Sequence, residues 1–302
     1  MSIYLASDGP IKFPGLGLTI DYLVEGFEIF GIHISLSGIL VAVALFLGLF
    51  VTERLARKTG QDAEHYLDLA IRVVVAGLIG ARIGYVLSHW EIYIYDQASV
   101  FDLGSGGYSF MGALLAGFIV TVVYCRQKKI SWLKVCDTAV PGIVLAQLIG
   151  TVGDFIERHS LGIYSDGPLA MQVHVRDVDV EMMRMSRASF GIVQGDFLQV
   201  HPVALYEMIL LILLMIGVLL IWKFQKIRGM VLGAYMIFYG VMSFFIDFLL
   251  LDSVKLLGLP VSLEQIAAVC LVICGVLLVG GQIKRHMIRQ SARPKNLKKR
   301  EK

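Results

Sequence analysis

The densest chemistry in this chain lies in Gly150-Thr151-Val152-Gly153-Asp154-Phe155-Ile156-Glu157-Arg158-His159-Ser160-Leu161-Gly162. Asp154, Glu157, Arg158 and His159 follow directly on the apolar run Val140 to Ile149. Carboxyls and an imidazole in such company can move protons, and a guanidinium can hold an anionic group. Ionisable groups at the mouth of an apolar helix are costly, so they face a partner, a ligand or water. The plainer reading is a helix end emerging into water. Gly150, Gly153 and Gly162 lack a Cβ, which lets another helix or a lipid headgroup approach the backbone.

Two further groups carry chemistry. The first is Val200-His201-Pro202-Val203-Ala204-Leu205-Tyr206-Glu207. Pro202 fits the first turn of a helix, because its φ is preset and it has no donor to waste. His201 then sits near the N-cap, and Glu207 lies further in, within apolar sequence. The second is Arg82, between Gly80 and Gly84 in Gly80-Ala81-Arg82-Ile83-Gly84-Tyr85. The two glycines make a small-residue face for close helix packing. A guanidinium there must pair, snorkel or bind an anion. It has two readings, an ion pair to Asp137 or Asp247, or a contact to a lipid phosphate. Ser243 and Asp247 are one turn apart and share a helix face.

The elements that must position these residues are membrane helices. The chain has 302 residues, of which 57% are hydrophobic and only 17% charged. Soluble domains carry about 25% charged residues. A spanning helix needs about 20 apolar residues. Seven stretches qualify, near 31–52, 68–89, 107–125, 136–156, 202–222, 230–251 and 262–283. None alternates with the period of two that a barrel strand needs. The expected fold is an all-α polytopic membrane protein of seven transmembrane helices with a small extracytoplasmic loop subdomain. Cys125, Cys136, Cys270 and Cys274 fall in or at the ends of spans and suggest neither a disulfide framework nor a metal site. Met1 to Glu28 lacks the pattern of a cleavable signal, so the first span is expected to direct insertion.

Most of the 27 lysines and arginines follow spans one, three, five and seven. The positive-inside rule then places the N-terminus outside and the C-terminus in the cytoplasm, which an odd number of spans requires. Residues 1–30 read as a polar and aromatic external lead-in. The segment 157–200 reads as an extracytoplasmic insertion with short strands or a hairpin near Met171 to Arg176. The basic tail 284–302 suits an anionic lipid surface, and no nucleic-acid partner is expected.

The same residues resemble the phosphatidylglycerol–prolipoprotein diacylglyceryl transferase family, from Phe30 to about Ile283. The resemblance is carried by Gly80-Ala81-Arg82-Ile83-Gly84-Tyr85-Val86, the Gly106-Gly107 turn, Asp137, and the frame of Gly150, Gly153, Phe155 and Ile156. His201-Pro202, Leu205-Tyr206-Glu207 and Gly258-Leu259-Pro260-Val261 complete it. It implies seven helices in the bacterial cytoplasmic membrane. The implied reaction moves a diacylglyceryl group from phosphatidylglycerol, or another phospholipid, to the lipobox cysteine of a lipoprotein precursor peptide, with no cofactor and no metal.

The chain departs from that pattern at several positions. The family has arginine where Thr151 stands, asparagine at Asp154, usually glutamate at His159, and histidine or tyrosine at Met111. It has arginines at Ser243 and Leu250 and a tyrosine at Ser37. Such arginines would clamp phosphate, and losing one donor of this kind costs about 10²–10³ in rate.

On the transferase reading, though not from the motif alone, His201, Glu207, Glu157 and His159 are the candidate catalytic groups, since a base must generate the thiolate nucleophile. The candidate lipid contacts are Arg82, Tyr85, Gly150, Gly153, Asp154, Arg158, Gly162 and Tyr206. Two other readings stand beside the transferase. One is a catalytically silent paralogue that binds lipid or precursor. The other is an unrelated transporter, which would call for internal repeats.

Overall fold

The computed structural model describes residues 2–4, 10–21, 23, 26–29, 32–94, 99–100, 107–174, 193–194, 197–225, 227–251 and 261–291. The chain forms two compact units, one of residues 1–48 and 140–302, the other of residues 49–139. Seven helices among the described residues are long and apolar enough to cross a membrane. They are α1 (Leu36–Lys58), α2 (Glu64–Ser88), α4 (Phe110–Gln127), α5 (Trp132–Ile156), α6 (Val203–Phe224), α7 (Met230–Asp247) and α8 (Leu263–Ser291). A single-turn helix, α3 (Trp90–Tyr93), follows α2. Lipid offers the backbone no hydrogen bonds, so each span must satisfy its own. Large apolar side chains accordingly point outward, among them Phe46, Leu78, Leu213 and Leu277. The bundle is all-α, as its composition requires. The seven helices overlap the seven expected spans, with the largest differences in the first, which begins at Leu36, and in the last, which runs on to Ser291.

The smaller unit rests on a tight crossing of α2 and α4. A Cβ on Gly80 would lie 2.6 Å from the Gly112 carbonyl oxygen, and one on Gly112 would lie 2.2 Å from the Gly80 oxygen. Only glycine allows backbones that close, and the expected small-residue face at Gly80 and Gly84 is the one used. The Ser109 main-chain N–H donates to the Ala81 carbonyl (2.9 Å), and the Ser109 hydroxyl caps α4 by accepting from the Gly112 N–H. Ala56, Tyr66, Leu69, Tyr124, Cys125 and Val135 form the apolar core of this unit.

In the larger unit Val140 and Val144 of α5 pack with Leu211, Leu214 and Val218 of α6 and Val231 and Met242 of α7. Gly233 and Gly240 of α7 lie against Gly275 and Ala268 of α8. The start of α8 is a capping box. The Gln265 N–H donates to Ser262 Oγ (3.0 Å), and Gln265 Oε1 accepts from the Ser262 N–H (3.2 Å). The Ser262 hydroxyl in turn donates to Asp247 Oδ2 (2.7 Å), which ties the end of α7 to the cap. All three side chains are buried.

The polar and aromatic lead-in is built of short strands. It holds β1 (Ser2–Tyr4), β2 (Ile11–Phe13), β3 (Leu18–Ile20), β4 (Gly26–Ile29) and β5 (Ile32–Ser35). The insertion holds β6 (Met171–His174), β7 (Val193–Gln194) and β8 (Phe197–Val200). β1, β4 and β5 form one antiparallel sheet, and the others form a second in the order β3-β2-β6-β8-β7. Alternate residues put Ile11, Phe13, Met171, Val173, Leu198 and Val200 on one buried face. Phe155 at the end of α5 and Leu205 at the start of α6 pack against that face. The second sheet therefore sits on the helix ends that carry the candidate site. Arg176, Arg184 and Arg187 and the tail beyond Ser291 fall outside the described residues.

Replacing Gly112 with valine should force α2 and α4 apart and destabilise the protein by about 1–3 kcal/mol, the usual cost of overpacking. Thermal unfolding in detergent measures it, and an unchanged melting temperature would contradict the crossing described.

Candidate active site at the end of α5

Helix α5 ends in a turn that displays its charged residues. The His159 N–H donates to the Asp154 carbonyl (3.0 Å) and the Arg158 N–H to the Phe155 carbonyl (3.4 Å). Arg158 takes the left-handed conformation, φ 56°. This is the Schellman arrangement, with arginine where glycine is usual. The left-handed conformation costs about 1–2 kcal/mol for a residue with a Cβ. It turns the chain sharply and leaves Asp154, Glu157 and His159 around one bend. Arg158 is buried and His159 exposed.

Helix α1 supplies a partner that the sequence did not suggest. Ser35 Oγ accepts from the Gly38 N–H (3.1 Å) at the start of α1. Ser37 lies in that first turn, and its hydroxyl donates to Glu157 Oε1. Glu157 Oε2 lies 3.4 Å from His159 Nδ1. Gly153 makes the approach of α1 feasible, since a Cβ there would sit 3.3 Å from Ser37 Cβ. Negative charge is favoured at a helix N-terminus, and Glu157 is held at one. Asp154 lies within electrostatic reach of both Glu157 and His159.

The second candidate group meets the first through the main chain. The His201 N–H donates to the Ile163 carbonyl (2.9 Å), and the Gly162 N–H donates to the His201 carbonyl (3.1 Å). On the other side, the Ile163 N–H donates to the Leu249 carbonyl and the Leu251 N–H to the Leu161 carbonyl. Residues 161–163 are thus held between the start of α6 and the end of α7. Pro202 is the residue before the helix and not inside its first turn, so His201 stands one position outside the cap. His201 Nδ1 lies 3.2 Å from the Tyr206 hydroxyl. Glu207, one residue on, lies within electrostatic reach of Asp154.

A polar ladder descends from this point. Gln147, Thr151 and Asp154 share one face of α5, and Tyr235, Tyr239 and Ser243 share one face of α7. The Tyr235 hydroxyl donates to Gln147 Oε1 (3.2 Å), and Tyr239 stacks on Tyr235 and lies against Ser243. The Thr151 hydroxyl donates back to the Gln147 carbonyl (3.0 Å). Only the spacing of three and four hints at this ladder in the sequence.

The candidates therefore divide. Asp154, Glu157, Arg158, His159, His201, Tyr206, Glu207, Gly153 and Gly162 share the larger unit, near one set of helix ends. Gly150 is in the same helix, and a Cβ there would meet no described part of the protein within 4 Å. Arg82 and Tyr85 belong to the other unit. Arg82 is 5% exposed. Its guanidinium donates to the carbonyls of Val100 (3.0 Å), Ser99 (2.7 Å) and Gly107 (3.2 Å). Those described bonds hold the main chain at residues 99, 100 and 107. Tyr85 stacks on His89 with centroids 4.2 Å apart. Among the described residues no group of three or more His, Cys, Asp or Glu could hold a metal.

Gly162 is the tightest joint in this arrangement. A Cβ there would lie 2.6 Å from His201 Cβ and 2.7 Å from the His201 oxygen. Gly162→Ala should cost about 1–3 kcal/mol, whereas Gly150→Ala should leave the melting temperature unchanged or raised, since alanine is the better helix former. Parallel melts of the two variants test this, and equal behaviour would contradict it.

Comparison with known proteins bears on this geometry. The family model described as prolipoprotein diacylglyceryl transferase matches residues 25–280. A phosphatidylglycerol–prolipoprotein diacylglyceryl transferase of Finegoldia magna is 30% identical over 253 residues, 83% of this chain and 92% of that protein. The protein of the same name from Clostridioides difficile is 32% identical over 251 residues, again 83% and 92% of the two chains. That from Staphylococcus xylosus is 27% identical over 267 residues, 87% and 90%. The matched region runs from the lead-in sheet through α7 and most of α8 and takes in both halves of the polar mouth. This multi-pass bacterial membrane protein belongs to the prolipoprotein diacylglyceryl transferase family.

Proposed function

We propose that this protein transfers a diacylglyceryl group from phosphatidylglycerol to the lipobox cysteine thiol of a prolipoprotein. Family membership over most of the chain supports the reaction class. The observation that carries the reading for this chain is the polar mouth, where Glu157 and His159 lie on the bend after α5 and the His201–Tyr206 pair opens α6. The chemistry asks for two things. The thiol must lose its proton, because the thiolate is the nucleophile. The departing glycerol phosphate must meet hydrogen-bond donors as charge develops on it.

His201 suits the second task. With Nδ1 beside the Tyr206 hydroxyl, its Nε2 makes no hydrogen bond among the described residues and is left for substrate. The main-chain bonds at Gly162 and Ile163 fix where that ring starts. The family match also weighs against the silent-paralogue and transporter readings. The charge distribution supports an N-terminus outside and the basic tail in the cytoplasm. The mouth at the end of α5, the fourth span, then lies on the outer side of the membrane. A cysteine placed in the 284–302 tail, in a background without the four native cysteines, should react with an impermeant maleimide only after the membrane is opened. Labelling of intact cells would reverse the assignment.

The function itself is tested by reconstitution. Purified protein in phosphatidylglycerol vesicles should add one diacylglyceryl group to a lipobox peptide, read by mass spectrometry. His201→Ala should reduce the rate by about 10²–10³. No addition by the wild-type protein, beside an active relative and with lipid binding intact, would leave the silent paralogue as the reading.

A further inference from the structure

We propose that Glu157 is the base that takes the proton from the substrate thiol, that His159 passes it to water, and that Ser37 is the positioning residue that holds the carboxylate. This rests on the transferase reading above. Its basis is the three-residue line Ser37–Glu157–His159, which joins α1 to the bend after α5. Glu157 Oε1 accepts from the Ser37 hydroxyl, and Oε2 faces His159 Nδ1 at 3.4 Å. Each carboxylate oxygen has two acceptor sites, so Glu157 can still receive a further proton donor.

Exposure gives the line a direction. The Glu157 side chain is 20% exposed and that of His159 67%. A proton that arrives at the carboxylate therefore has an imidazole between it and bulk water, and imidazole is the side chain best suited to relay at neutral pH. The other candidate bases lack such a line. Glu207 lies within electrostatic reach of the Asp154 carboxyl and makes no hydrogen bond to an exposed side chain among the described residues. His201 Nδ1 is engaged with Tyr206.

In the step itself, the S–H proton moves to Glu157. The sulfur lone pair forms a C–S bond to the glyceryl carbon that bears the phosphate oxygen. That C–O bond breaks, and its electron pair leaves on glycerol phosphate. The proton then leaves Glu157 through His159. Ser37 acts only through Glu157: it fixes the carboxylate across the short gap that Gly153 leaves open.

The test separates proton removal from every other role. A lipobox peptide with selenocysteine in place of cysteine carries a selenol already ionised at neutral pH, which needs no base. With the cysteine peptide, Glu157→Gln, which keeps the shape of the side chain, should lower kcat by about 10²–10⁴. With the selenocysteine peptide most of that loss should vanish. Ser37→Ala should show a smaller loss with the same peptide dependence, and Ser37→Thr, which restores a hydroxyl, should recover it. Should Glu157→Gln fail to fold, Ser37→Ala carries the same comparison. Equal losses on both peptides, with an active wild type, would overturn the assignment while leaving the transferase reading intact. A wild type inactive on both would remove the transferase reading itself.

Discussion

A polar or charged group in lipid must find its partner inside the protein, because an unpaired charge there costs at least several kcal/mol. Each unit meets that demand by its own means. In the smaller one, the Arg82 guanidinium donates to the main-chain carbonyls of Ser99, Val100 and Gly107 among its partners. Hydrogen bonds to a charged donor contribute about 1.5–3 kcal/mol each. In the larger one, Asp247 accepts from Ser262, whose hydroxyl also caps α8. Gln147 accepts from Tyr235 across the α5–α7 gap. These contacts decide which helix faces meet, since the apolar surfaces alone pack no better on one another than on lipid.

The same demand shapes the end of α5. Its last carbonyls are satisfied by a Schellman turn that forces Arg158 into the left-handed region. Such strain persists only where the surroundings over-determine it. Here they do. Residues 161–163 are bonded on one side to the start of α6 and on the other to the end of α7. The five-stranded sheet closes over Phe155 and Leu205. A loop without those strands would leave the bend free to relax, and Glu157 would lose its fixed distance to Ser37.

The helices were legible in the sequence because length and apolarity in lipid leave one solution. So was the clustering of Asp154, Glu157, Arg158 and His159, which are neighbours in the chain. β6 falls where a short strand was expected near Met171, but the other strands were not legible, for a physical reason. They are two to four residues long, and β2 finds β6 only across the intervening spans, at the Lys12–Gln172 pair. No local pattern encodes a pairing that distant. Ser37 was hidden in the same way, its partner Glu157 lying 120 positions on.

That contrast bears on how the chain differs from the pattern it resembles. Where the resemblance leads us to expect an arginine, Thr151 is buried with its hydroxyl turned back onto its own helix. Ser243 lies against Tyr239. Neither position supplies a cation. On the transferase reading, the side-chain donors described nearest these positions are the tyrosine hydroxyls of the ladder, Tyr235 and Tyr239. Neutral hydrogen bonds are roughly half as strong as charge-assisted ones. Less stabilisation of the leaving group places more of the burden on the nucleophile. A bend that sets a carboxylate between a helix-anchored hydroxyl and an exposed imidazole is a way to carry that burden, because it acts on the thiol and leaves the phosphate alone.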